Sequence, residues 1–126
     1  MTLRVERQDS TYDVWLSEKS HQSATVVTAW NPFSNQLSDD ENRTRQKELL
    51  GTVAAAGLRW LNAEGRDPGG LWEPEESLCV FDAPDALLDE LLVRFKQNAV
   101  VRIEQGAECC LVWHPEIRSR LIGAVT

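Results

Sequence analysis

No reaction is spelled out anywhere in this chain. Its three cysteines are odd in number and include no CxxC pair, so neither a disulfide framework nor a thioredoxin-type redox centre is expected, and free thiols used as small core residues fit a reducing compartment. Two histidines and three cysteines would suffice in number for zinc, yet their separations match no compact site, and no metal is expected. Ser77, Cys79, Cys109 and Cys110 offer nucleophilic atoms and His21 and His114 offer bases, but no G-x-S-x-G elbow or cysteine-protease signature surrounds them. GRDPGG lacks the G-K-[ST] ending of a phosphate loop, and no G-x-G-x-x-G follows a strand, so no nucleotide cofactor is expected.

Basic charge is scarce as well. Thirteen Lys and Arg stand against twenty Asp and Glu, for a net charge of -7 and a pI near 4.8, a balance that repels a phosphate backbone and disfavours nucleic acid as a partner. Arg43, Arg45 and Lys47 cluster, but among Asp39, Asp40, Glu41 and Glu48, the pattern of a solvated, ion-paired helix face. The opening MTLRVERQDS has no apolar core of a leader, and no run approaches the ~18 apolar residues that a membrane span requires. A cytoplasmic location without membrane attachment is the expectation.

What is present is ordinary globular material: 126 residues, 42% hydrophobic and 26% charged, enough for one self-sufficient domain spanning residues 1–126. Tyr12, Trp15 and Leu16 at helical spacing predict a short helix behind Asp9 or Ser10. Ala24 to Trp30, ATVVTAW, predicts a strand buried on both faces, ended by Asn31-Pro32 because proline cannot donate to a ladder. Ser38 followed by Glu41 is a capping box, and it predicts a helix from about Asp39 to Ala56 with Gly57 as its stop. The apolar stripe of that helix, Leu49, Leu50, Val53 and Ala54, turns polar towards its start, where the same face reaches Gln46 and Asn42.

Short strands are expected at Leu58 to Leu61 and Ser77 to Phe81, separated by a fifteen-residue loop, Asn62 to Glu76, rich in Gly and Pro. Asp82 is the expected cap of a second helix, with Pro84 in its first turn and Leu87, Leu88, Leu91, Leu92 and Phe95 as the face that lies on a sheet. AVVRIE and AECCLVW flank Gln105-Gly106 as a hairpin, and a last helical turn starts at Pro115. The order strand, helix, strand, strand, helix, strand predicts an α+β fold: a ferredoxin-like split βαβ two-layer sandwich, with a mainly antiparallel sheet, helices on one face and a C-terminal hairpin.

Asn31, Asn35, Asn42, Gln46, Gln97 and Asn98 stand at the ends of predicted elements that a split βαβ fold can bring together. Such amides either cap turns and satisfy loop backbone or line a polar pocket. Glu64, Asp67, Glu73, Glu75 and Glu76 crowd one loop, and paired carboxylates there can act as acid and base, although a solvated acidic loop is the plainer reading. Most of the five tryptophans belong in the core, while Trp72, amid Gly, Pro and acids, is the candidate anchor for a partner.

Three segments, TAWNPFSNQLSDDEN, GRDPGGLWEPEES and RFKQNAVVRIE, together resemble a family of small bacterial proteins known as domain of unknown function 3293. The shared pattern is T-A-x-N-P with a helix-opening Asn, then G-x-D-x-x-G-x-W-x-E, then F-x-Q-N-A. The resemblance covers about Thr28 to Arg102 and marks Asn31, Pro32, Asn42, Arg45, Gly65, Asp67, Trp72, Glu76, Ser77, Gln97, Asn98 and Ala99. Its acidic position falls on Glu73, Glu75 or Glu76, because this chain carries extra acids around Pro74. The family label implies no activity.

The leading expectation is therefore a small binding or accessory domain without a cofactor. Asn31, Asn42, Gln97 and Asn98 would orient a protein partner or small polar ligand, Arg45 would supply charge, and Asp67, Trp72 and Glu76 would complete the site. The alternatives are a hydrolase or transferase using Glu76 or Asp67 as base with Arg45 as anion clamp, and a nucleic-acid-associated regulator.

Overall fold

The computed structural model describes residues 2–4, 9–66, 69–70 and 73–125. Asp67 and Trp72 therefore lie outside the described residues. Among the described residues four α-helices, α1 (Ser10–Glu18), α2 (Asp39–Ala55), α3 (Asp85–Arg94) and α4 (Pro115–Val125), accompany five strands, β1 (Ser23–Val27), β2 (Trp60–Gly65), β3 (Glu75–Phe81), β4 (Ala99–Glu104) and β5 (Cys110–Trp113). The strands form one sheet in the order β2-β3-β1-β4-β5, every neighbouring pair antiparallel. The fold is α+β.

Strand alternation divides the interior into two cores. Val27, Leu78, Val80 and Val100 point to one side, where they meet Leu49 and Val53 of α2, Leu88, Leu91 and Leu92 of α3, and Phe95. Ala24, Cys79, Phe81 and Ile103 point to the other, where Tyr12 and Leu16 of α1 cover them. Helices thus lie on both faces, not on one, because the short N-terminal helix has its own apolar pair to bury. Its start is set by Asp9, whose carboxylate accepts the Thr11 N–H at 2.9 Å.

Besides the second helical face, and β5 starting at Cys110 instead of Ala107, sequence pattern and structure part company at four places. β1 stops at Val27 although the apolar run continues to Trp30, because distant side chains take over the backbone hydrogen bonds of Ala29 and Asn31 and the Trp30 carbonyl. Strands β2 and β3 pair from Trp60 opposite Val80 to Gly65 opposite Glu75, so six residues of the expected fifteen-residue loop, Asn62 to Gly65 with Glu75 and Glu76, are paired strand. Cross-strand pairing outweighs the poor strand preference of Asn62 and Glu64. Asp82 does not cap α3. It lies in the left-handed region at φ 53°, its carboxylate accepts the N–H groups of Gln22 and Ser23, and Pro84 occupies the N-cap instead. Finally, α4 runs for eleven residues where one turn was expected.

Candidate functional site

Chain direction at the end of β1 is controlled by side chains of α2. The Ala29 N–H donates to Gln46 Oε1 at 3.0 Å and the Ala29 carbonyl accepts from Arg45 Nε at 2.8 Å, so one residue of irregular chain has both backbone groups satisfied by consecutive helix residues. Two positions on, the Asn31 N–H donates to Asn42 Oδ1 at 2.8 Å, while Asn42 Nδ2 returns a bond to Asn31 Oδ1 at 2.9 Å. The same Asn31 oxygen accepts the Leu37 N–H at 3.0 Å. Asn31 has φ 46° and ψ 75°, a left-handed conformation that asparagine tolerates better than other residues with a Cβ. The polar start of the α2 face is thereby explained: Asn42, 1% exposed, and Gln46, 6% exposed, replace a sheet neighbour as partners of this backbone.

The segment after α3 joins the same knot. Gln97 Nε2 donates to the carbonyls of Trp30 and Phe95, each at 3.1 Å, and the Arg45 guanidinium also donates to the Phe95 carbonyl. Asn31, Asn42, Arg45 and Gln97, drawn from three segments, therefore meet around residues 29–31. Asn98 lies at the margin, its amide 3.5 Å from Ser34 Oγ and its carbonyl accepting the His114 N–H at 2.8 Å. The Glu76 carbonyl accepts Thr28 Oγ1 at 2.7 Å, and its side chain faces outward. Asp67 and Trp72 lie outside the described residues.

Most of the hydrogen-bonding capacity of this hub is consumed internally. Gln46 Nε2 is buried without a partner, and Asn31 Nδ2 reaches Glu75 Oε1 at 3.3 Å. Arg45 donates to two backbone carbonyls and, among the described residues, forms no ion pair with a carboxylate. An anion clamp built on Arg45 would first have to release the ends of β1 and α3.

Open surface begins beside the hub. A cleft of about 430 Å³ is lined by Trp30, Arg43, Ala63, Glu64, Pro74 and Glu76. Glu64 and Glu76 stand directly opposite each other on β2 and β3, an arrangement of like charges that costs stability unless a cation intervenes. Arg66 holds Glu64 at 2.9 Å, and Arg43 reaches Asp40 at 3.3 Å. Trp30, Arg43 and Pro74 were not singled out as site residues in the sequence, and Glu64 was named only as one of five acids crowding the loop. The signal that would have found Glu64 is the β2–β3 register, which sets it against Glu76.

Glu75, hydrogen-bonded to Asn31, is half-buried. Burial pushes its carboxyl above the ordinary value near 4.5, against the smaller lowering effect of the Asn31 amide. The native state therefore binds this proton more tightly than the unfolded chain does, and the ionised group costs stability as pH rises from 4.5 through the raised native value. Glu75→Gln keeps an acceptor for Asn31 and removes the charge. The variant should be more stable than the parent at pH 7 by a few tenths of a kcal/mol, within the ~0.2–1 kcal/mol range of partly exposed charges. Urea melts at several pH values should show the advantage fading as pH falls towards 4.5, whereas a less stable variant at pH 7 would contradict this account.

Burial also raises the Cys79 thiol to about 11 and the Cys109 thiol above its ordinary value, with Cys110 adding to the latter. Both are poor nucleophiles at neutral pH. Among the described residues no group of three or more His, Cys, Asp and Glu is placed to hold a metal ion, and no helix is long and apolar enough to cross a membrane.

No curated protein and no solved structure matches the chain. One family model does, over residues 27–100, more than half of the chain and the stretch that contributes the hub, the β2–β3 hairpin and the cleft. The chain belongs to the family described as protein of unknown function DUF3293.

Proposed function

We propose that the protein is a binding domain whose cleft beside β2 and β3 takes a positively charged partner, either a basic protein segment or a small polar ligand with an amine, without a cofactor. Glu64 and Glu76 supply the charge and Trp30 a face for cation–π contact. The observation that carries this reading is the Glu64–Glu76 pair set across adjacent strands on the wall of a cleft. A cation placed between them relieves the part of the repulsion that the Arg66 contact to Glu64 leaves, so binding and stability gain together.

Asn31, Asn42, Arg45 and Gln97 serve this site from beneath. They hold the turn that carries Trp30, whose carbonyl is fixed by Gln97, and Asn98 belongs to the outer margin of the same support. Asp67 and Trp72 stand in the sequence between the two cleft strands and are proposed as further contacts, as the resemblance implies. The β2-β3-β1-β4 order supports a ferredoxin-like reading with β5 as an added edge, and three free cysteines support a cytoplasmic location.

The test is isothermal titration of the intact chain with a lysine- and arginine-rich hexapeptide and with spermidine, at low and at physiological ionic strength. Binding of at least one probe is expected, weakened by salt and at least about tenfold weaker for Glu64→Gln/Glu76→Gln, the loss of roughly one charge-assisted contact. Equal affinity in the double variant, or equal binding of an acidic hexapeptide, would overturn the proposal.

A further inference from the structure

The opposite end of the sheet carries a second polar constellation. There the chain enters β1 and leaves β3, and His21 and Asp82, sixty-one residues apart, form a dyad with His21 Nδ1 2.6 Å from Asp82 Oδ2. Asp82 is itself fixed, because its other oxygen accepts the N–H groups of Gln22 at 2.9 Å and Ser23 at 3.0 Å. Burial alone would raise this carboxyl, but the bonds from His21, Gln22 and Ser23 outweigh it and hold the group below its ordinary value. An ionised Asp82 places a proton on His21 Nδ1, and stacking of the imidazole on Phe81 at 4.3 Å and 17° fixes the ring plane. Nε2 is left as the ring's uncommitted polar atom.

His21 lines a cavity of about 350 Å³ together with Lys19, Leu58, Arg59, Trp60, Leu61 and Phe81. No carboxylate is among these residues; the ionised Asp82 stands behind the ring on His21 Nδ1. Among the described residues, neither Lys19 nor Arg59 has a side-chain hydrogen bond or an ion pair. Two unpaired cations beside an oriented imidazole are conspicuous in a chain of net charge -7, where carboxylates outnumber cations. A structural dyad would account for His21 and Asp82 but not for the concentration of uncompensated positive charge around one concavity. Leu61 and Phe81 provide the apolar wall on the His21 side of the sheet, and the volume, at the small end of ligand sites, admits one ring with its head group.

We propose that Lys19, Arg59 and His21 form a second binding site, which takes a small organic oxyanion, a carboxylate or a phosphate monoester bearing one ring-sized apolar group. The anion's oxygens meet the Lys19 ammonium and the Arg59 guanidinium, the protonated ring of His21 donates the third hydrogen bond from Nε2, and the apolar group lies on Leu61 beside Phe81. Arg59 suits either head group, since its fork matches both geometries. The site is independent of the acidic cleft. It lies at the other end of the sheet, its charge has the opposite sign, and Lys19 and His21 fall outside the stretch that matches the family model.

Titration of the intact chain with phenyl phosphate, benzoate and benzyl alcohol, followed by calorimetry and by amide chemical shifts, tests this. At least one anion should saturate, the neutral alcohol should not, and the exposed double variant Lys19→Ala/Arg59→Ala should bind the anion at least about tenfold more weakly with an unchanged melting temperature. Shifts should concentrate at residues 19–22 and 58–61. Saturation by only one of the anions assigns the head group and supports the site. Absence of saturation by both at about 10 mM, beyond the weakest affinity of practical interest, overturns the proposal, as does equal binding of the alcohol or undiminished binding by the double variant.

Discussion

Replacing Asn42 by alanine should lower the stability of the domain by about 2–4 kcal/mol, a large share of the ~5–15 kcal/mol that holds a typical domain together. The residue is 1% exposed and serves three partners: it accepts the Asn31 N–H and donates to Asn31 Oδ1 and to the Leu37 carbonyl, the last at 3.4 Å. Alanine removes all three and leaves the Asn31 N–H, in a half-buried position, without its acceptor. Each orphaned buried group costs roughly 1–3 kcal/mol. Asn42→Asp provides the control, because it keeps the acceptor for Asn31 N–H, loses the donor and buries a charge facing a carbonyl oxygen. It should be at least as damaging as alanine. Denaturant melts that place Asn42→Ala within about 0.5 kcal/mol of the parent, the range of neutral surface changes, would show that the hub is dispensable to folding and free for another task.

Arg45→Lys should cost about 2–3 kcal/mol despite preserving the charge. The guanidinium bridges the Ala29 carbonyl after β1 and the Phe95 carbonyl at the end of α3, and its planar fork also lies 6.0 Å from the Phe95 ring centroid. An ammonium is a single point on a flexible stem and cannot hold two carbonyls in that geometry, so one partner of a charge-assisted bond is lost along with the ring contact. Gln97 serves the Phe95 carbonyl as well, so Arg45 and Gln97 should be coupled. In a double-mutant cycle, the loss from Arg45→Lys should change by at least about 0.5 kcal/mol when Gln97 is already alanine. Strict additivity would mean that the two side chains act separately and that the segment from Trp30 to Phe95 is not one unit. Both variants also bear on the cleft, because they loosen the turn that presents Trp30 without touching Glu64 or Glu76.

Helix α2 illustrates what was legible from residue order. Ser38 caps it, with the Glu41 N–H donating to Ser38 Oγ at 3.2 Å and the hydroxyl donating to the Glu41 carboxylate at 3.0 Å, and Leu49 and Val53 are fully buried. The leucine stripe of α3 and the strand character of β4 were equally plain. The polar beginning of the α2 face was visible too. In each case the deciding interactions join residues within a few positions of each other, or follow from one hydrophobic period repeated along a single element.

Tertiary structure alone decided the rest. The end of β1 moved from Trp30 to Val27 because Gln46 and Arg45 satisfy Ala29, and no local pattern announces a hydrogen bond from a helix seventeen residues away. Whether Asn31, Asn42 and Gln97 turn towards a ligand or towards each other depends on distances of a few tenths of an ångström, since an amide satisfied by backbone has little left to offer. The opposition of Glu64 and Glu76 needed the register of a hairpin, and the meeting of His21 with Asp82 needed two strands brought side by side. Composition and periodicity determined which segments fold and which faces they bury, because burial free energy is set by residue type and repeat. Only chain packing determined which polar groups remain unspent, because hydrogen bonds and charge pairs are short-ranged and directional, and residues far apart in sequence supply their partners.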